Sequence, residues 1–115
     1  MSHSATFTLT SREHTLEGTG LHDATLVTVT MNWEKAEVSV AVVPLGGAGA
    51  GAMLTVYEVT AAALPRELPW GPSASINEVS TLPDGKYEIE MQSGDKLLFS
   101  ARSWSMRINA APSAA

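Results

Sequence analysis

Residues 86–102 read KYEIEMQSGDKLLFSAR, and this stretch decides the fold. Tyr87, Ile89 and Met91 alternate with Lys86, Glu88, Glu90 and Gln92. Successive strand side chains point to opposite faces, so this is a strand with one buried and one wet face. Ser93-Gly94-Asp95 supplies a tight turn, and Lys96–Arg102 resumes the alternation with Leu97, Phe99 and Ala101 on one side. Two period-two segments around a glycine turn predict an antiparallel hairpin. Near Ser103 the apolar phase slips by one residue, and Trp104, Met106 and Ile108 carry it onward. Such a slip predicts a bulge or a strand that changes sheets.

The same grammar extends towards the N-terminus. Leu82-Pro83-Asp84-Gly85 is a turn: proline sets φ, aspartate bonds locally and glycine takes positive φ. Residues 74–80 form a short strand before it. Met53–Thr60 is strand-like and apolar on both faces, and Ala61–Leu64 is either one helical turn or a continuation of that strand. Glu37–Val43 alternates with Val38, Val40 and Val42 inward. Leu21–Trp33 alternates with Val27, Val29, Met31 and Trp33 on one face. Thr6–Thr10 (TFTLT) reads as an edge strand within a polar segment, residues 1–20. The expected architecture is all-β: an antiparallel two-sheet sandwich or small barrel of about six to eight short strands, with at most one helical turn. Its core takes Leu26 or Val27, Val29, Met31, Val38, Val40, Val42, Leu54, Val56, Tyr57, Ile76, Ile89, Met91, Leu97 and Phe99. Residues 21–109 form the single domain, and the tail 110–115 is expected to be disordered.

Bulk properties narrow the function. A chain of 115 residues is one domain, and an apolar fraction of 44% supports a real core. With 0 cysteines there are no disulfides, thiol nucleophiles or Cys-based zinc sites. A net charge of −5 without a basic run argues against a nucleic-acid partner. The first residues lack a basic and then apolar leader pattern, and no apolar stretch is long enough to span a bilayer, so no membrane partner and a cytoplasmic location are expected.

The search for chemistry is mostly negative. LGGAGAGA (residues 45–52) lacks the following helix that a phosphate-cradling loop requires, so it reads as a flexible loop. His22 and Asp23 are adjacent on an expected strand, which sends their side chains to opposite faces; a turn-capping role is the reading. Ser73 and Ser75 do not make a nucleophile elbow. Glu88 and Glu90, about 6–7 Å apart along a strand, read as a solvated face. No catalytic set, metal site or cofactor is expected.

The remaining candidate surrounds LPRELPWGPSASIN, residues 64–77. Pro65, Pro69 and Pro72 are three of the chain's 6 prolines, and they bar this segment from helix or central strand. The expected binding residues are Arg66, Glu67, Trp70, Asn77, Glu78 and His22. Arginine and tryptophan dominate binding hot spots, and asparagine is unusual inside a strand. The leading expectation is a non-enzymatic protein-binding module. One alternative is a small-molecule binder or enzyme with a pocket lined by Trp70, Trp104 and Asn77 and an ionisable His22 or Glu90. The other is a structural homo-oligomer, a homodimer covering open edge strands.

Specific strings carry a family likeness: His22-Asp23-Ala24, Trp33-Glu34, Pro65-Arg66, Pro69-Trp70-Gly71-Pro72-Ser73, Ile76-Asn77 and Tyr87 through Asp95. In this order they resemble small bacterial single-domain proteins of unknown function, over roughly residues 21–102. More distantly, His-Asp-Ala before a strand resembles some immunity proteins of bacterial toxin systems, which implies a partner protein. Neither resemblance brings a catalytic residue.

Overall fold

A computed structural model describes residues 6–44, 51–66 and 74–109. The hairpin that anchors the sequence reading is present as β7 (Lys86–Met91) and β8 (Lys96–Ser100). Ile89 faces Leu97 and Tyr87 faces Phe99 across it. The turn closes through Met91 N–H to the Asp95 carbonyl at 2.8 Å and Gly94 N–H to the Met91 carbonyl at 2.9 Å. β6 (Ile76–Leu82) pairs with β7 through the Pro83-Asp84-Gly85 turn, in which Asp84 has φ 63 and Gly85 φ 71.

Seven more elements complete the fold: β1 (Thr6–Thr10), a 3-10 turn at Leu16–Thr19, β2 (Thr25–Asn32), β3 (Glu37–Val43), β4 (Ala52–Tyr57), β5 (Ala61–Ala63) and β9 (Ser103–Asn109). The described residues form two antiparallel sheets, ordered β1-β9-β4-β3-β2 and β5-β8-β7-β6. The fold is therefore the expected all-β sandwich. Nine strands lie among the described residues, and Ala61–Ala63 is one of them, β5, instead of a helical turn. The one helical turn lies instead at Leu16–Thr19, where Leu16 is buried in the core. From Thr6 on, the polar N-terminal segment is thus built into the domain.

Two strands cross between the sheets at one corner. β4 passes into β5 through Glu58–Thr60, and β8 passes into β9 through Ala101-Arg102, so the phase slip near Ser103 marks a change of sheet. The crossing is stitched by Arg102 N–H to the Tyr57 carbonyl at 3.0 Å, Thr60 N–H to Ser100 at 2.8 Å and Ala101 N–H to Gly85 at 2.9 Å.

At a second place the sheets meet edge to edge. Thr25 bridges Ser75, with Ile76 N–H bonded to the Ala24 carbonyl at 2.8 Å and Leu26 N–H to Ala74 at 2.9 Å. Both strands at this seam carry a register shift, at Leu26/Thr28 in β2 and Ile76/Glu78 in β6. An extra residue reverses the inward face, so Ile76 and Val79 are both buried, and Leu26 and Val29 both pack on the core.

The core holds most of the expected set: Val38, Val40, Val42, Leu54, Val56, Ile76, Ile89, Leu97 and Phe99. Met91 packs partly against it. Of Leu26 or Val27 it is Leu26 that packs on the core, and Val27, the extra residue of the β2 bulge, is 58% exposed. Two expectations are corrected. Met31, near the end of β2, is 40% exposed. Tyr57 lies on the outer face, its hydroxyl 2.6 Å from Ser105 Oγ, because β4 alternates from Val56. Trp104 and Met106 are core residues. Residues 45–50, 67–73 and 110–115 lie outside the described residues, and with them the flexible-loop and disordered-tail expectations.

Candidate functional site

The seam between β2 and β6 gathers polar side chains from four parts of the chain. Asp23 adopts φ 63, which ends the strand alternation assumed for His22 and Asp23. Their side chains consequently converge, with His22 Nε2 3.3 Å from Asp23 Oδ2, against the sequence expectation. His22 Nδ1–H donates to the Asn77 carbonyl, which fixes the ring. Gln92 Nε2 donates to Asp23 Oδ1 at 2.6 Å.

Asn77 sits at the β6 bulge, which accounts for an asparagine in a strand. Its Nδ2 donates to Glu90 Oε1 at 2.7 Å. Lys96 Nζ lies 3.8 Å from Glu90 and 3.6 Å from Glu88. The acidic face of β7 is therefore tied to a lysine and an asparagine, not merely solvated.

His22, Asn77 and Glu78 share an open cavity of about 350 Å³ with Glu17, Gly20, Leu21 and Val79. Glu17 belongs to the 3-10 turn and accepts the Thr81 amide. Burial pushes its carboxyl up, but bonds to its own amide and to the Thr81 hydroxyl and amide outweigh this, leaving it below the usual carboxylate value. Three of the six expected binding residues thus come together. Arg66 is exposed and does not line this cavity. Glu67 and Trp70 lie outside the described residues. The expected pocket wall of Trp104 is corrected: that ring is 2% exposed in the core, where β9 alternates inward.

Among the described residues no group of three or more His, Asp or Glu side chains could hold a metal ion. His22 spends its two ring nitrogens on the Asn77 carbonyl and the Asp23 carboxylate.

A second surface was missed by the sequence reading. β2 ends its sheet, and among the described residues only β3 pairs with it from Thr28 to Asn32. Its eight residues, TLVTVTMN, contain no charge and no proline. Trp33 follows at 86% exposure, beside half-exposed Met31 and Val27. The signal available in sequence was the position of Trp33 directly before Glu34-Lys35, where a strand reaches its turn and leaves the core. No helix among the described residues is long and apolar enough to cross a membrane. Compared with known proteins, the chain matches no family model, no curated protein and no solved structure.

Proposed function

We propose that this domain is a non-enzymatic protein-binding module that engages its partner along the edge of β2 that no described strand covers, with Trp33 as anchor. The observation that carries the reading is an indole 86% exposed at the end of an uncharged edge strand. Unpaired edge groups template a further strand, and natural edges are usually blunted by lysine or proline, which β2 lacks. Tryptophan also supplies a large contact area at low entropic cost. The sequence resemblance suggests one specific form, an immunity-like role in which the partner is a bacterial toxin protein.

Affinity capture from source lysate tests this, comparing the natural chain with Trp33→Ala. A defined partner retained by the first and lost by the second is the expected outcome. Equal recovery on both would overturn the role of the edge.

A second reading is favoured by the cavity at the seam. Glu17 and Glu78 give it an acidic rim beside the His22 ring, which suits a small cationic ligand. A thermal-shift screen of amines checks it: stabilisation lost in Glu78→Gln supports the cleft, and no shift with any amine counts against it.

A further inference from the structure

We infer that the cavity at the seam binds the free N-terminus of a peptide, whose first residue pairs with the backbone of Val79. This deepens the reading of that cleft as a site for a cationic ligand and names the ligand. In an antiparallel sheet, alternate residues turn their N–H and C=O groups to opposite neighbours. Met91 N–H goes to Asp95 on the β8 side, so Glu90 and Glu88 turn towards β6 and pair with Glu78 and Ser80. Val79 and Thr81 therefore turn their groups away from β7. Thr81 N–H is indeed met by the Glu17 carboxylate, and on the other side of Val79 the Asn77 carbonyl is met by His22. Val79 lies between these two caps. Among the described residues no group bonds its outward N–H or C=O. Val79 is 4% exposed and lines the cavity with Leu21 and Gly20. Buried backbone groups demand partners, and the cavity is where a ligand can supply them.

The two caps set what fits. With Asn77 and Thr81 engaged, only one ligand residue can pair, through the donor and acceptor of an N–Cα–C=O unit. Along the edge, Val79 C=O is followed by Thr81 N–H. A nitrogen donated to Val79 C=O therefore lies beside the Glu17 carboxylate. An α-ammonium suits that place by charge. An internal residue would have to pass its preceding chain through the position of Glu17. The first carbonyl then accepts Val79 N–H, and the peptide leaves past His22 and Glu78 on the open side. Paired residues put their side chains on one face, so the first side chain points inward with Val79, against buried Leu21, and must be small.

Titration of the isotope-labelled natural chain with alaninamide, followed by amide NMR, tests this. The Val79 amide should move most and saturate. N-acetylalaninamide lacks the ammonium, ethylamine lacks the carbonyl and phenylalaninamide is bulky; each should bind at least about tenfold more weakly. Trialanine amide should bind at least as well as alaninamide. Glu17→Gln keeps an acceptor for Thr81 N–H but removes the charge, and should weaken alaninamide at least about tenfold with circular dichroism unchanged. A Val79 amide that alaninamide leaves unmoved overturns the inference. Ethylamine bound in the cleft as tightly as alaninamide also overturns it, while leaving the cleft a site for simple cations; silence from both amines sinks the cleft reading as well. Equal binding of N-acetylalaninamide overturns the role of the ammonium. Alaninamide bound with trialanine amide excluded overturns the peptide in favour of a small amino amide.

Discussion

Gly85 occupies the tightest point of the corner where strands change sheets. It has φ 71, and a Cβ added there would lie 3.0 Å from the Ala101 carbonyl oxygen. Gly85→Ala should destabilise the domain by about 1–3 kcal/mol, measured by urea unfolding, because both the backbone and its neighbour oppose a methyl group. The two described tryptophans make a sharper contrast. Trp104→Ala should cost about 3–5 kcal/mol, because it empties a core position. Trp33→Ala should leave the fold of the isolated domain within about 0.5 kcal/mol of the natural chain, since the indole is 86% exposed. Tyr87 reports on the core in a different way: burial raises its hydroxyl above the ordinary tyrosine value. Its contribution is fully present below that ordinary value and is lost as pH rises through the folded value. Ultraviolet titration should therefore show a tyrosine ionising late and together with unfolding.

The 3-10 turn at Leu16–Thr19 is the element most exposed to solution conditions. Leu16 anchors it in the core, and Leu16 N–H donates to Thr81 Oγ1 at 3.0 Å. Glu17 returns the contact by accepting the Thr81 amide. Because the folded Glu17 value is depressed, its contribution is present above the unfolded carboxylate value and disappears as pH falls through the folded one. Acidification below the usual carboxylate range should accelerate hydrogen exchange at Thr81 before exchange at Ile89 in the core. Glu17→Gln should remove that pH dependence. Thr81→Val should cost about 1–3 kcal/mol, by leaving the Leu16 amide without its acceptor. The two bulges are the other decisive elements. Each lies where its strand enters the seam, and each turns a regular alternation through one residue. The β6 bulge is also what delivers Asn77 to Glu90, which brings His22, Asp23, Gln92 and Lys96 into one connected surface.

Across the whole molecule, the pairings join distant parts of the chain. β1 pairs with β9, Thr6 against Asn109, and β2 meets β6 at Thr25 and Ser75. Closing such loops before any contact rewards them makes folding slow. Refolding is expected on the millisecond-to-second scale by stopped-flow fluorescence, with burial of Trp104 as the signal. A microsecond transition would contradict this topology. The corner at Ala101-Arg102 and the seam at Ser75 consume edges and crossing points, and β2 is left with a stretch that the described chain does not cover.

The sequence alone determined the fold class and most of the core, because alternation such as Val38-Val40-Val42 or Tyr87-Ile89 is a local property that any packed sheet must respect. It also located the strand that changes sheets, since a phase slip is visible in the order of residues. It picked out His22, Asn77 and Glu78 from different segments, and the tertiary structure decided that these three share a cavity while Arg66 does not. Local pattern did not reveal that Asp23 takes a left-handed conformation, that Val27 is the extra residue of a bulge, or that Trp33 lies beyond the cover of the opposite sheet. Each depends on which strand lies beside β2 and where that neighbour ends. Alternation states that a residue has two sides; only the assembled sheets state whether anything stands on either of them.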